Sequence, residues 1–351
     1  MNAWLANAPA RALSAAKTGV LAAFCVCGGA RLVRWVARRA FPGAVRVLYC
    51  HDIAPTGADR SCAPGSLDVE EFERRLVHIR RHYGFISIEQ ARSRLRGEQA
   101  GGRIPVILTF DDGYRSFAEY VHPLLRRHDI PAALFVTTGA VGGSGIWSDD
   151  VRDAGGSESL IEELKLVPDE VRRRVVRELC ERAGLRADRG RRILTWEELR
   201  ELARDPLVTI GAHTVTHPIL SRMGEEAAAR EIRESKQTLE RELGLPVTAF
   251  SYPNGLREDF TEHCRRVVAD AGYRIAFSTM GGPAQPGGDL YAVPRSCLAR
   301  EPWSRFVLRM AGRDELLARA RAILRRSLRT GAAAPESPLR PSSIAGDTGE
   351  T

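Results

Sequence analysis

Short apolar runs alternating with amphipathic helical stretches, about seven of them, predict an α/β protein with a parallel sheet. Capping signals that open the intervening helices support the same class. The alternation admits either a barrel or a doubly wound sheet. In chain order the candidate strands are 45–50, 85–88, 106–110, 132–137, 208–211, 248–252 and 275–278. Asp68-x-x-Glu71, Ser87-x-x-Gln90 and Thr195-x-x-Glu198 each have the capping-box pattern of a helix start. Residues 141–193 form a long excursion rich in Gly, Arg and Glu, with a helix expected near 169–183. Beyond Gly312 an Arg/Ala/Leu helix over 315–328 leads into a Pro/Ser/Gly-rich tail expected to be disordered. No G-x-G-x-x-G or G-x-x-x-x-G-K-[ST] follows a candidate strand, which weighs against nucleotide binding.

The 351 residues are 44% hydrophobic and 27% charged, with mean hydropathy −0.23, an ordinary globular composition. No Pro/Gly/Ser-rich linker divides the middle, so one large domain over 43–312 is expected, with extensions 1–42 and 313–351. A net charge of +8 permits phospholipid headgroups, acidic glycans or nucleic acid as partners. Without a zinc finger, an RRM signature or a basic stripe interleaved with aromatics, nucleic acid is not expected. Seven scattered cysteines with no C-x-x-C pair indicate neither a zinc site nor a disulfide framework, and point to a reducing compartment.

Residues 19–30 are apolar but too short to span a bilayer, which takes ~20 residues. In 31–40, Arg31, Arg34 and Arg38 share a helical face beside Leu32, Val33, Trp35 and Val36. This pattern predicts a basic amphipathic helix in a membrane interface, giving residues 1–42 a peripheral membrane contact. A helix packed on the domain and a secretory signal, whose small-residue cleavage rule Gly28 and Ala30 could satisfy, are the alternatives. The Arg cluster after the apolar run argues against export and for a cytoplasmic protein at the inner membrane face.

Asp111-Asp112-Gly113 follows the strand 106–110, and His213-x-x-x-His217 follows 208–211. In parallel barrels, strand C-terminal ends carry the chemistry. Alone, the first motif reads as a turn or N-cap. The second puts two imidazoles on one face if a helical turn begins there. Capping strands of one sheet, the two motifs supply three ligands with an open position, and a spare carboxylate for proton transfer.

These residues and their surroundings resemble the polysaccharide deacetylases, the NodB-homology domain of carbohydrate esterase family 4. The resemblance rests on TFDDGY (109–114), GAHTVTHPIL (211–220) and FSYPNG (250–255). Further matches are VLYCH (47–51), IPAALFV (130–136), LTWEEL (194–199) and AVPR (292–295). It implies a distorted (β/α)7-type, TIM-like barrel over about 44–312. By matching positions it implies Asp112, His213 and His217 as ligands of a divalent metal. Zn²⁺ is the usual ion, and Co²⁺, Ni²⁺ or Fe²⁺ are accepted by the same donors. Asp111 would be the general base, and the backbone N–H of Asn254 would meet the oxyanion.

Two positions depart from the family pattern. Ser251 stands where an Arg usually steadies the base, leaving Arg295 as candidate replacement or as a structural ion pair. The Leu-x-His that ordinarily supplies the general acid is missing after Ala292, and His51 is the candidate substitute. His122 and His263 are expected bystanders, and Asp52 a turn residue. Trp147 and Asp149 would line a sugar cleft or plug a loop. The implied reaction is hydrolysis of N-acetyl groups from amino sugars of a polysaccharide or lipid-linked glycan. Deformylation or O-deacetylation of a lipid-linked sugar, or a non-catalytic carbohydrate-binding relative, are the alternatives.

Overall fold

The structure is a computed structural model and describes residues 19–57, 66–98, 104–186, 190 and 192–331. The tail expected to be disordered and residues 1–18 of the N-terminal extension lie outside the described residues. Two N-terminal helices, α1 (Gly19–Val26) and α2 (Gly29–Ala40), meet at an angle of 78°. The left-handed Gly28 (φ 86°) makes that corner, a conformation open to glycine at no steric cost.

The chain then enters β1 (Arg46–Cys50). A small parallel pair, β2 (Ile53–Ala54) with β3 (Leu67–Asp68), leads to α3 (Val69–His82). Asp68 caps α3 by accepting from Glu71 N–H. The strand expected at 85–88 is only β4 (Gly84–Phe85). The capping box Ser87–Gln90 closes in full and takes Ile88 into α4 (Ile88–Leu95), so the cap ends the strand.

β5 (Pro105–Phe110), β6 (Ala132–Val136), β7 (Val208–Ala212), β8 (Ala249–Ser251) and β9 (Ile275–Phe277) fall where apolar runs predict them. The helix α5 (His122–His128) connects β5 to β6. The excursion after β6 folds as α6 (Trp147–Asp153), α7 (Glu158–Leu164) and α8 (Asp169–Arg182). It has its own small core of Val151, Ile161, Leu164 and Val176. Next come α9 (Trp196–Leu202), α10 (Glu225–Leu243) and α11 (Glu262–Asp270). After β10 (Ser296–Cys297), α12 (Trp303–Ala311) and α13 (Arg313–Gly331) complete the described chain.

The main sheet runs β10-β1-β5-β6-β7-β8-β9, every pairing parallel, with β4 added beside β5. The sheet curls until its ends approach. Val293 bridges to Phe277 of β9, and three residues later Ser296 pairs with Leu48 of β1. Val47, Ile107, Ala133, Phe135, Ile275 and Phe277 belong to one apolar cluster that also takes in Ile88, Ala91 and Leu95 of α4. A larger cluster joins the sheet to α3, α5, α9, α10 and α11. The result is the distorted (β/α)7-type barrel, with the strand C-terminal ends at one mouth.

Candidate active site

Asp111 and Asp112 leave β5 at that mouth and are both 2% exposed. Asp112 adopts φ 72°, a left-handed conformation that short polar side chains tolerate. This turns the two carboxylates in different directions.

Arg295, fully buried, enters between the Val293 bridge and β10 and forks Asp111. Nη1 donates to Oδ1 at 2.8 Å and Nη2 to Oδ2 at 2.7 Å. Its other donors reach Thr109 Oγ1 (3.1 Å), Ser251 Oγ (2.8 Å) and Ser278 O (3.2 Å), so all five N–H groups are satisfied. Ser251, the position that departs from the family pattern, is thus a small acceptor for the guanidinium arriving from β10. Burial alone would raise the Asp111 carboxyl. The adjacent Arg295 charge overrides it, joined by the His213 ring once acid protonates that ring and by the Arg295 hydrogen bonds, and holds Asp111 well below the usual carboxylate range.

The His213–His217 segment does not start the helical turn that the spacing suggested. It is a loop with Thr214 at φ 66° and His217 at φ 55°. Its backbone groups are accounted for nearly one by one. Glu231 of α10, 8% exposed, accepts from Val215 N (2.7 Å), Thr216 N (2.9 Å) and Thr216 Oγ1 (2.7 Å). Thr138 N donates to Thr214 O (3.1 Å), Gly139 N to Val215 O (2.8 Å) and the Trp147 indole to His217 O (3.0 Å). A Cβ on Gly139 would sit 2.6 Å from Val215 O, so only glycine allows this approach. Sequence reasoning missed Glu231. Its signal was a carboxylate on the apolar stripe Ala228–Ile232–Ser235–Leu239 of α10.

Asp112, His213 and His217 present ligand atoms that all lie within 4.8 Å of one another. His213 Nδ1–H donates to Ser251 O at 2.7 Å, which fixes the tautomer and aims Nε2 inward. Asp112 Oδ1 lies 3.5 Å from His213 Nε2 and 3.3 Å from His217 Nε2, and is buried with no hydrogen-bond partner among the described residues. Burial, reinforced by Asp111 and Asp149, drives the Asp112 carboxyl well above its ordinary range. Burial lowers His213 to about 4 and pushes His217 well down, leaving both imidazoles neutral at pH 7. Neutral imidazoles and an orphaned carboxylate fit a divalent cation.

His51 follows β1 and lines the same cleft, edge-on to Tyr49 with ring centroids 5.6 Å apart. Desolvation lowers its pKa while Asp111 pulls it up. Asn254 also lines the cleft at φ 59°. Its Nδ2 donates to Asp259 (2.5 Å), and its backbone N–H has no acceptor among the described residues. Trp147 and Asp149 line the cleft too. Asp149 accepts from Tyr114 Oη (2.8 Å) and Ile146 N (2.9 Å), so it also closes the loop. Asp52 borders the cleft near Ser116. His122 pairs with Asp205 (2.8 Å) and His263 faces Glu225 (3.8 Å), both away from the cleft.

Fold and site together define a hydrolase built on an incomplete parallel barrel, its reactive groups gathered at the strand ends. A family model described as polysaccharide deacetylase matches residues 98–276, and the chain belongs to that family. It is similar to YxkH of Bacillus subtilis, 20% identical over 255 residues (72% of this chain, 71% of that protein). A stretch of 132 residues is 30% identical to the poly-β-1,6-N-acetyl-D-glucosamine N-deacetylase of Escherichia coli K12, covering 38% of this chain and 15% of that enzyme. In fold it is similar to the Streptococcus pyogenes deacetylase PplD (TM-score 0.56, 20% identity, 76% of this chain and 98% of that one). IcaB from Ammonifex degensii gives a TM-score of 0.55 at 21% identity over 76% and 97% of the two chains.

Proposed function

We propose that this polysaccharide deacetylase removes N-acetyl groups from amino-sugar units of a glycan, with a divalent metal, Zn²⁺ first among candidates, held by Asp112, His213 and His217. The observation that carries this reading is the orphaned, buried Asp112 Oδ1 facing two imidazole nitrogens beside a separately anchored carboxylate. The N-acetylated glucosamine polymer in the name of the Escherichia coli relative supports the choice of acyl group.

A cation held by Asp112, His213 and His217 would supply Lewis acidity toward the acetyl carbonyl and the attacking water. Asp111, kept ionised and oriented by Arg295, accepts the proton of that water. The unpaired N–H of Asn254 donates to the oxygen on which negative charge develops. His51, at the cleft mouth, gives a proton to the departing amine. Trp147 walls the cleft and fixes His217 through its indole N–H.

The test is acetate release from N-acetylated oligosaccharides, measured with metal content. Wild type is expected to hold about one metal per chain and release acetate. Asp111→Asn should keep the metal and lose activity. Equal background from both on every oligosaccharide, or full activity after exhaustive chelation, defeats the reading. His51→Ala with an undiminished kcat removes His51 from the mechanism without touching the rest.

A further inference from the structure

We propose that α1, α2 and α13 form a docking face for an anionic lipid bilayer, positioned at the end of the barrel away from the cleft. Two independent distributions point there. Residues 41–312, the barrel with its excursion, contain 39 Lys and Arg against 39 Asp and Glu, and are neutral. Residues 19–40 and 313–331 contain ten arginines against two acids, an excess equal to the +8 of the whole chain. Exposed apolar side chains are segregated in the same way. Of 14 large ones among the described residues, nine lie on α1, α2 and α13.

α2 is turned opposite to a helix of a soluble surface. Its buried residues are the small ones, Gly29 under the Phe24 ring of α1 and Ala37 against Gly312, so close that a Cβ on Gly312 would lie 2.6 Å from it. Its large residues Leu32 and Trp35 are 59% and 54% exposed, flanked by Arg31 and Arg39. Arg39 stacks over the Trp35 ring at 3.7 Å, holding an aromatic and a cation together at the surface. α13 continues the pattern with exposed Leu317 and Leu324 beside exposed Arg319 and Arg321. Large apolar groups interspersed with arginine, with almost no acids, match the boundary between acyl chains and anionic headgroups. A nucleic acid would leave the apolar groups unmatched, and a second copy would set arginine against arginine.

These helices form one unit with the barrel. α2 packs on α12 and α13, and Cys25 Sγ of α1 reaches Ser304 O of α12 at 3.7 Å. Arg46, at the start of β1, binds Glu315 of α13 at 2.6 Å. β1 begins at this layer and ends at His51 in the cleft. Docking through the layer leaves the cleft facing away from the bilayer, toward a glycan on the aqueous side. No single described helix is long and apolar enough to cross a membrane, and α1 with α2 reaches that length only as a bent pair. A bent, arginine-flanked pair suits an interfacial position.

The experiment uses the full chain and vesicles of phosphatidylcholine with or without phosphatidylglycerol, read by co-sedimentation. Binding is expected to the anionic vesicles only, and to fall with added salt. Arg31→Gln and Arg321→Gln should each weaken it roughly fivefold. Tryptophan fluorescence of wild type should be quenched by brominated acyl chains, and Trp35→Phe should remove much of that quenching. This comparison needs no destabilising change. Acetate release from soluble oligosaccharides should be the same in all three variants, which separates failure of docking from failure of the deacetylase reading. Equal binding to neutral and anionic vesicles, no binding to either, or binding and quenching unaffected by all three substitutions overturns the proposal. So does a dimer in solution that Trp35→Ser dissociates without any vesicle binding.

Discussion

At the residue scale, Arg295 and Asp111 form a buried pair in which every guanidinium N–H has an acceptor, the condition under which such a pair holds. Arg295→Ala strands a buried carboxylate and is expected to destabilise the fold by about 3–5 kcal/mol in denaturant titrations. Its pH dependence has a definite sign. In wild type the folded pKa of Asp111 lies below the ordinary 3.8, so the pair's contribution is present above that value and is lost as pH falls through the lower one. In the variant, burial loses its strongest opponent and the folded pKa rises, so the deficit shrinks on acidification. A deficit constant with pH would show that Asp111 is not the group concerned. Asp112 carries the complementary prediction. Burial and the neighbouring Asp111 raise its pKa in the metal-free protein, so a divalent cation competes with a proton there, and the number of protons released on loading should grow as the pH is lowered. Calorimetry in buffers of different ionisation enthalpy reads that number, and zero proton release contradicts the assignment. Asp111-Asp112 and His213-x-x-x-His217 were each legible as motifs because the spacing within each is local. Arg295 was legible only as one of two readings, since it lies 184 residues from Asp111 in the chain and the fork exists only once the barrel curls.

At the element scale, the loop carrying His213 and His217 is held from three sides, by α10, by the turn after β6 and by the start of α6. Glu231→Gln keeps the size but loses one of the two acceptors that three donors share. It is expected to lower metal affinity roughly 10- to 100-fold, by competition with a chromogenic chelator, while the far-UV spectrum stays that of wild type. Unchanged affinity would make Glu231 an ordinary buried acid. Strand positions were legible because runs of buried apolar residues need no knowledge of partners. β10 was not, since two residues, half-buried and exposed, give no periodicity. The helical turn expected between the two histidines failed for a related reason. Spacing cannot distinguish a helix from a loop whose backbone groups are paired by distant residues.

At the scale of the whole molecule, the excursion α6–α8 has a four-residue core separate from the barrel's. Such a unit opens at lower free energy than the body it sits on. Native-state hydrogen exchange should therefore show α7 and α8 amides exchanging through a sub-global opening, while β5–β7 amides wait for global unfolding. A bound metal should slow the α6 amides, because Trp147 couples them to His217. Exchange at a single common free energy would mean that the excursion and the barrel share one cooperative unit.

The seam between β9 and β1 has a consequence for the life of the polypeptide. Arg295 lies inside the few residues that join Phe277 to Leu48, so the stitch that draws the two ends of the sheet together also delivers the counter-ion of Asp111. A nascent chain halted before Val293 carries Asp112, His213 and His217 but leaves Asp111 without its clamp. Under the proposed function, hydrolysis would then wait on synthesis having reached the final strand.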